Sequence, residues 1–250
     1  MTNHVLLNNV SHKDLKIITD YSASYGDDVG AVVTFPTEFG DIQREYPILL
    51  HRDGDQFQAV ALLGFRRAEN LFLENGDWNA SYVPAIVARG PFLIGFQEQE
   101  VDGELRRETV IHVDMDNPRV NESRGQAVFL PHGGNSPYLD GIASTLRKIH
   151  AGMEIAGGLY SALDACGLIE SVSISVEIHR DEHIELGGYY TVNEEKLAAL
   201  DGASLEKLNR AGYLREAFLL AASLHNIKKL IEMKRRRVAR QAETARVVEA

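Results

Sequence analysis

The chain is poor in several features that would point to a specific chemistry. Only one of its 250 residues is cysteine, Cys166, so no intramolecular disulfide can form and the usage suits a reducing compartment. Only one is tryptophan, Trp78. Positive charge is short: 26 Lys and Arg face 36 Asp and Glu, a formal net charge of −10. That is the wrong sign for a protein that must displace counterions from phosphates, so no nucleic-acid partner is expected. There is no internal repeat, no Gly-x-Ser-x-Gly elbow and no glycine-rich dinucleotide fingerprint, and no cofactor is expected.

Long hydrophobic runs are missing as well. The most apolar stretch, "SYVPAIVARGPFLIGF" at 81–96, is interrupted by Pro84, Arg89 and the pair Gly90-Pro91, whereas a spanning helix needs about 20 apolar residues in succession. It is expected to form two buried strands, 82–88 and 92–96, on either side of a turn. No membrane span is expected. The first twenty residues lack the basic start and apolar run of a secretory signal, and the expected location is the cytoplasm.

What the chain has is a change of period along its length. Residues 1–115 carry short apolar or alternating runs, such as "GAVVTF", "YPILLHR" and "FQAVALLGF", separated by the turn signals "RDGD", "ENGD" and "VDGE". An antiparallel sheet or partial barrel follows, with Pro47 at a strand edge or start. Residues 117–137 are rich in turn formers. Ser136 and Pro137 suit the N-cap and first position of a helix, whose stripe is Leu139, Ile142, Leu146, Ile149, Met153, Ala156, Tyr160 and Leu163, ending at Gly167. Gly152, Gly157 and Gly158 inside it point to a close backbone approach or a break. "ESVSISVEIHRDEHIEL" alternates as a hairpin turning at Arg180-Asp181, Asn193 caps a short helix, and further helices start near Ser204 and near Tyr213. The expected fold class is α+β: an N-terminal antiparallel β-rich lobe at 1–116, a connecting loop at 117–137, a helical lobe with a hairpin at 138–234, and a basic tail at 235–250. From Lys228 onward eight Lys or Arg meet three Glu, a net +5 that leaves −15 on the rest.

Several blocks in order, "HVLLNNVSHKDLKI", "REYPILL", "ALLGFRRAENLFL", "YVPAIVARGPFLIGF" and "GYLREAFLLAASLHNIKKLIEMKRRR", resemble the SapC family, named after a bacterial surface-layer-associated protein. The resemblance implies a soluble bacterial protein, not the similarly named peptide-transporter permease, and it brings no catalytic residues with it. It also implies a process shared with tryptophan-halogenase-like flavoproteins, cupin-like oxygenases and TonB-dependent receptors.

The residues themselves offer few sites. Arg66, Arg67, Trp78 and Arg89 lie in or beside apolar strands, and both residue types combine large contact area with a polar handle, as partner-binding anchors do; the plainer account is that they snorkel at a core edge. His112 and Asp114 have the spacing of two ligands of a metal site, with His132, His179 or His183 as a third, although strand alternation alone also turns both toward water. His183 and Glu185 share a polar strand face in the same way. "PHGGNSP" could cradle an anion ahead of a helix or simply form a turn. Cys166 reads as packing. "KKLIEMKRRRVAR" reads as a solvated basic helix, with an anionic surface or partner as the alternative. The expectation is a non-catalytic interaction protein with a protein or peptide partner and self-association left open. The alternatives are a metal-dependent enzyme using His112, Asp114 and His183, and a surface-layer component.

Overall fold

The computed structural model describes residues 3–101, 104–179 and 182–248. In chain order the strands are β1 His4–Leu6, β2 Lys16–Ile17, β3 Ala31–Val33, β4 Ile48–Asp53, β5 Gln56–Leu62, β6 Leu73–Glu74, β7 Asp77–Trp78, β8 Phe92–Val101, β9 Glu104–Asp114, β10 Val120–Asn121, β11 Gln126–Ala127, β12 Ile169–His179 and β13 Glu182–Val192. The helices are α1 Phe39–Ile42, α2 Ala85–Ala88, α3 Pro137–Ala165, α4 Glu194–Ala198, α5 Gly202–Arg210, α6 Tyr213–Ser223 and α7 Asn226–Val248. The class is α+β as expected, and the described strand pairs are antiparallel. No helix among the described residues is long and apolar enough to cross a membrane.

Contacts sort the chain into two compact units, each built from two separate segments: Met1–Asp27 with Ala85–Ala151, and Asp28–Pro84 with Gly152–Ala250. In the first unit, β9 lies between β1 and β8. Phe92 and Val113 face each other across that sheet, and with Leu15, Ile17, Val128, Phe129, Leu139, Ile142 and Leu146 they form its core. Residues 117–137, expected as a connection, carry β10 and β11, which flank β2 as a small second sheet. Arg119 fastens this region. Its Nη2 lies 2.6 Å from Asp27 Oδ2 with both side chains buried, and its guanidinium stacks on Tyr21 and Tyr25.

The second unit is a five-stranded sheet in the order β12-β13-β4-β5-β3, with α4 to α7 beside it in sequence. Pro47 sits just before β4, where its missing N–H costs the ladder nothing. Asn75 and Gly76 have φ of 54° and 89° in the two-residue loop between Glu74 and Asp77, the positive pair that a type I′ hairpin requires. The turns expected at "VDGE" and at Arg180-Asp181 fall on 102–103 and 180–181, outside the described residues.

The long helix α3 begins and ends where its sequence says. Ser136 Oγ accepts the Leu139 N–H at 3.2 Å as an N-cap. At the other end Gly167 (φ 65°) donates to Asp164 O at 2.8 Å and Leu168 to Leu163 O at 3.0 Å, which closes the helix as a Schellman motif. Its buried stripe differs from expectation at one place. Met153 is exposed, and Gly152 takes the inward position, because a Cβ there would run into Phe35 and Thr37. Gly158 is a close approach of the same kind, to the Tyr213 hydroxyl.

Three further expectations are corrected. Residues 82–88 do not form a strand: Pro84 leads into the single turn α2, closed by Gly90 at φ 54°. The helix expected to run unbroken from Tyr213 is divided into α6 and α7. At the break, Ser223 Oγ accepts the Ile48 N–H at 2.9 Å, and Asn226 Nδ2 donates to the carbonyls of Gln43 and Tyr46. These side chains bond to other segments, and the backbone turns to let them. The 235–250 stretch expected as a tail continues α7 as far as Val248.

Candidate functional site

Residues 64–70 form a loop that presents Arg66 and Arg67 to solvent from a fixed base. The base starts from two glycines. A Cβ on Gly30 would overlap the Arg66 carbonyl, and one on Gly64 would overlap the Glu69 carbonyl, so the loop can fold back on β3 and β5 only with glycine at both positions. The contact is fastened by Gly30 N–H to Arg67 O at 2.9 Å, Gly64 N–H to Gly30 O at 3.0 Å and Leu71 N–H to Leu63 O at 2.8 Å. Glu69 closes it from within. Its Oε2 accepts the Phe65 N–H at 2.9 Å, while Oε1 receives Lys234 Nζ at 2.6 Å.

Glu69 and Lys234 are 7% and 6% exposed. A buried pair of this kind matters chiefly because removing one member strands the other charge. Arg237, one turn further along α7, donates to the carbonyls of Asn70, Leu71 and Leu73 at 2.9, 3.2 and 3.0 Å. The basic C-terminal helix therefore buttresses the arginine loop. Others of its cations are also paired: Lys229 with Glu45 at 3.0 Å, Arg240 with Glu74 at 2.5 Å and Arg236 with Glu232 at 3.7 Å.

Beside the loop lies a pocket of about 410 Å³, lined by Val29, Ala31, Leu62, Phe65, Leu186 and Tyr189 together with Arg66 and Arg67. Its walls are largely apolar and its charge is positive, and among the described residues Arg67 has no acidic partner. A second groove of about 850 Å³ runs between the β6–β7 hairpin and α7, lined by Leu71, Leu73 and Met233 and crossed by Arg236, Arg237 and Arg240. Those three arginines are the ones already engaged with carbonyls or carboxylates. The smaller pocket is the better place for an incoming anionic group.

The other residues singled out from the sequence are placed as follows. Trp78 is 8% exposed, and its Nε1 donates to the Tyr46 hydroxyl at 2.7 Å, which in turn donates to the Tyr82 carbonyl at 2.5 Å. The Tyr82 hydroxyl donates to Glu38 Oε2 at 2.9 Å, and the Thr34 hydroxyl to Glu38 Oε1 at 2.8 Å. Burial, reinforced by the Glu38 carboxylate, pushes the Tyr82 phenol far above its ordinary range. Arg89 belongs to the first unit, unlike Arg66, Arg67 and Trp78. Its Nη1 donates to the Phe92 carbonyl at 2.7 Å, its Nε is buried with no hydrogen-bond partner among the described residues, and burial lowers its pKa.

His112 and Asp114 flank the buried Val113 on β9. Asp114 Oδ1 accepts the N–H groups of Asn3 and Asp116, and the His112 ring lies over Gly95. His183 is in the second unit, with Nε2 2.9 Å from Ser175 Oγ; the His179 side chain lies outside the described residues. Among the described residues no three His, Cys, Asp or Glu side chains are grouped to hold a metal. The "PHGGNSP" stretch is a turn with Gly133 and Gly134 at φ 82° and 85°, and Asn135 Nδ2 donates to Asp140 Oδ1 there at 3.3 Å.

A scan against family models matches SapC over residues 7–230. The chain belongs to the SapC family. No curated protein and no solved structure matches it.

In this SapC chain the residues that the sequence did not disclose are the supports of the arginine loop. Glu69 and Lys234 are 165 positions apart, and neither lies in a motif. Two local signals were available: the glycines at 30 and 64, placed where a backbone must come close, and a Lys-Arg run spaced so that Lys234 and Arg237 fall on one helix face. Neither signal names its partner.

Proposed function

We propose that this SapC-family chain is a non-catalytic accessory protein of the cytoplasm that binds a protein or peptide partner, with Arg66 and Arg67 at the contact. The observation that carries the reading is the 410 Å³ apolar pocket bordered by two exposed arginines on a clamped loop. A rigid base means that little ordering entropy is lost on binding, and arginine beside an apolar pocket is a common composition for an interface hot spot. Trp78 enters this reading as an internal support, and Arg89 as a separate cation on the first unit. The partner classes implied by the family resemblance, halogenase-like flavoproteins and TonB-dependent receptors, are the first to examine.

The test is affinity capture from the native cell with the full chain and with the Arg66→Ser/Arg67→Ser variant, followed by mass spectrometry and a binding titration of the captured protein. The expected result is a partner whose affinity falls by about 2 kcal/mol or more in the variant, the usual mark of a hot spot. Equal affinity of both chains, or no partner with the wild type, removes the reading.

A further inference from the structure

β3 is the outer strand of its sheet, and its hydrogen bonds alternate. Leu63 N–H donates to Gly30 O at 2.8 Å and Thr34 N–H to Ala59 O at 3.0 Å, with Val32 opposite Ala61 between them. Gly30, Val32 and Thr34 therefore direct backbone groups toward β5. In an antiparallel ladder the residues between must direct theirs the other way, so the N–H and C=O groups of Ala31 and Val33 point outward from the sheet. No hydrogen bond within the described residues reaches those groups, and both residues are half-buried. Ala31 also lines the pocket that Arg66 and Arg67 border.

We propose that the partner adds an extended segment to the outer edge of β3, placing an apolar side chain in the adjoining pocket and an acidic one against Arg66 and Arg67. The proposal rests on the reading of this protein as a partner-binding chain and specifies how the partner is held. In strand addition the backbone bonds supply affinity and the pockets for alternate side chains supply specificity. Here the open backbone groups, an apolar pocket and a cationic rim occur together at one edge. Charge complementarity selects the occupant: β3 has no acidic side chain, so a second copy of the strand would not provide the negative group. The edge is three residues long, short enough to resist indiscriminate pairing.

A displayed library of random ten-residue peptides, selected on the full chain, tests this. Enriched sequences should alternate apolar and acidic residues and lack internal proline. Synthetic versions N-methylated at one alternate set of residues should bind about tenfold more weakly, the worth of one or two hydrogen bonds, while methylation of the other set changes little. Amide exchange at Ala31 and Val33 should slow by about tenfold or more in the complex, and Val33→Pro, which removes an outward N–H and no ladder donor, should weaken binding. Peptides indifferent to N-methylation, protection at other residues, or no enrichment would overturn the proposal. So would a dimer in sedimentation with Ala31 and Val33 protected. Binding that is lost in Arg66→Ser/Arg67→Ser but indifferent to N-methylation would refute strand addition and leave the partner-binding reading standing.

Discussion

On α7, Lys234 lies 2.6 Å from Glu69 with both side chains buried, and Arg237 gives its guanidinium to three backbone carbonyls. On the loop they support, Arg66 and Arg67 are exposed beside an apolar pocket. The two regions carry the same kind of cationic side chain in opposite settings, one buried and the other exposed. In the sequence the "KRRR" run is the conspicuous one, and a basic helix invites a reading as an anionic surface or partner site. Two of its cations are instead used within the fold, Lys234 on the buried Glu69 and Arg237 on three backbone carbonyls. Whether a cation such as Lys234 or Arg237 is used inside the fold is decided by a carboxylate or carbonyl that residues far away in the chain bring within hydrogen-bond reach.

The largest expected effect comes from breaking the buttress. Lys234→Met leaves the Glu69 carboxylate buried without its counter-charge and is expected to cost about 3–5 kcal/mol in urea unfolding. Adding Glu69→Gln should restore a large part of that loss, because the uncompensated charge is then gone. A Lys234→Met chain as stable as wild type would make α7 the solvated helix of the sequence reading.

Trp78 tests the same contrast on a residue type favoured in both interiors and interfaces. Because its indole is buried and bonded to Tyr46, Trp78→Ala is expected to destabilise the free protein by about 3–5 kcal/mol by thermal unfolding. Unchanged stability with weakened partner binding would return Trp78 to the interface.

Glu216 gives a smaller effect with a definite sign. Burial pushes its carboxyl above the ordinary glutamate range, offset in part by Arg215 at 3.4 Å, and its Oε2 has no hydrogen-bond partner among the described residues. The folded chain thus holds this proton more tightly than the unfolded chain does. The resulting stability is present below the unfolded pKa and is lost as pH rises through the raised folded value. Glu216→Gln should therefore be the more stable chain at neutral pH, with its advantage shrinking as pH falls through the raised folded value and gone below the ordinary glutamate pKa. An advantage that does not vary with pH would contradict the assignment.

The parts of this fold that were legible in the sequence are those written locally. Ser136-Pro137 and Gly167 mark both ends of α3, Asn193 caps α4 through the Lys196 N–H at 2.7 Å, and the alternation in 169–179 and 182–192 becomes the paired strands β12 and β13. Where the reading failed, a distant partner decided the outcome. Residues 213–233 have helical periodicity throughout, yet Ser223 and Asn226 bond to the segment 43–48 and divide the helix. Met153 fits the apolar stripe but is exposed, and the neighbouring Gly152 is the residue packed against Phe35 and Thr37. At the site, residue type was enough to single out Arg66 and Arg67. It could not separate them from Trp78, whose neighbours Tyr46 and Tyr82 come from other parts of the chain, nor could it find Glu69 and Lys234.

On the proposed reading Arg66 and Arg67 are held outward for a partner, and Lys234 and Arg237 of α7 hold their loop in place. Unfolding free energy and partner affinity, measured on one preparation of Arg66→Ser/Arg67→Ser, test it most directly. The expected result is stability within about 0.5 kcal/mol of wild type, as for substitutions at exposed positions, together with loss of binding. A variant that unfolds as readily as Lys234→Met, or one that is stable and still binds its partner at full affinity, would contradict it.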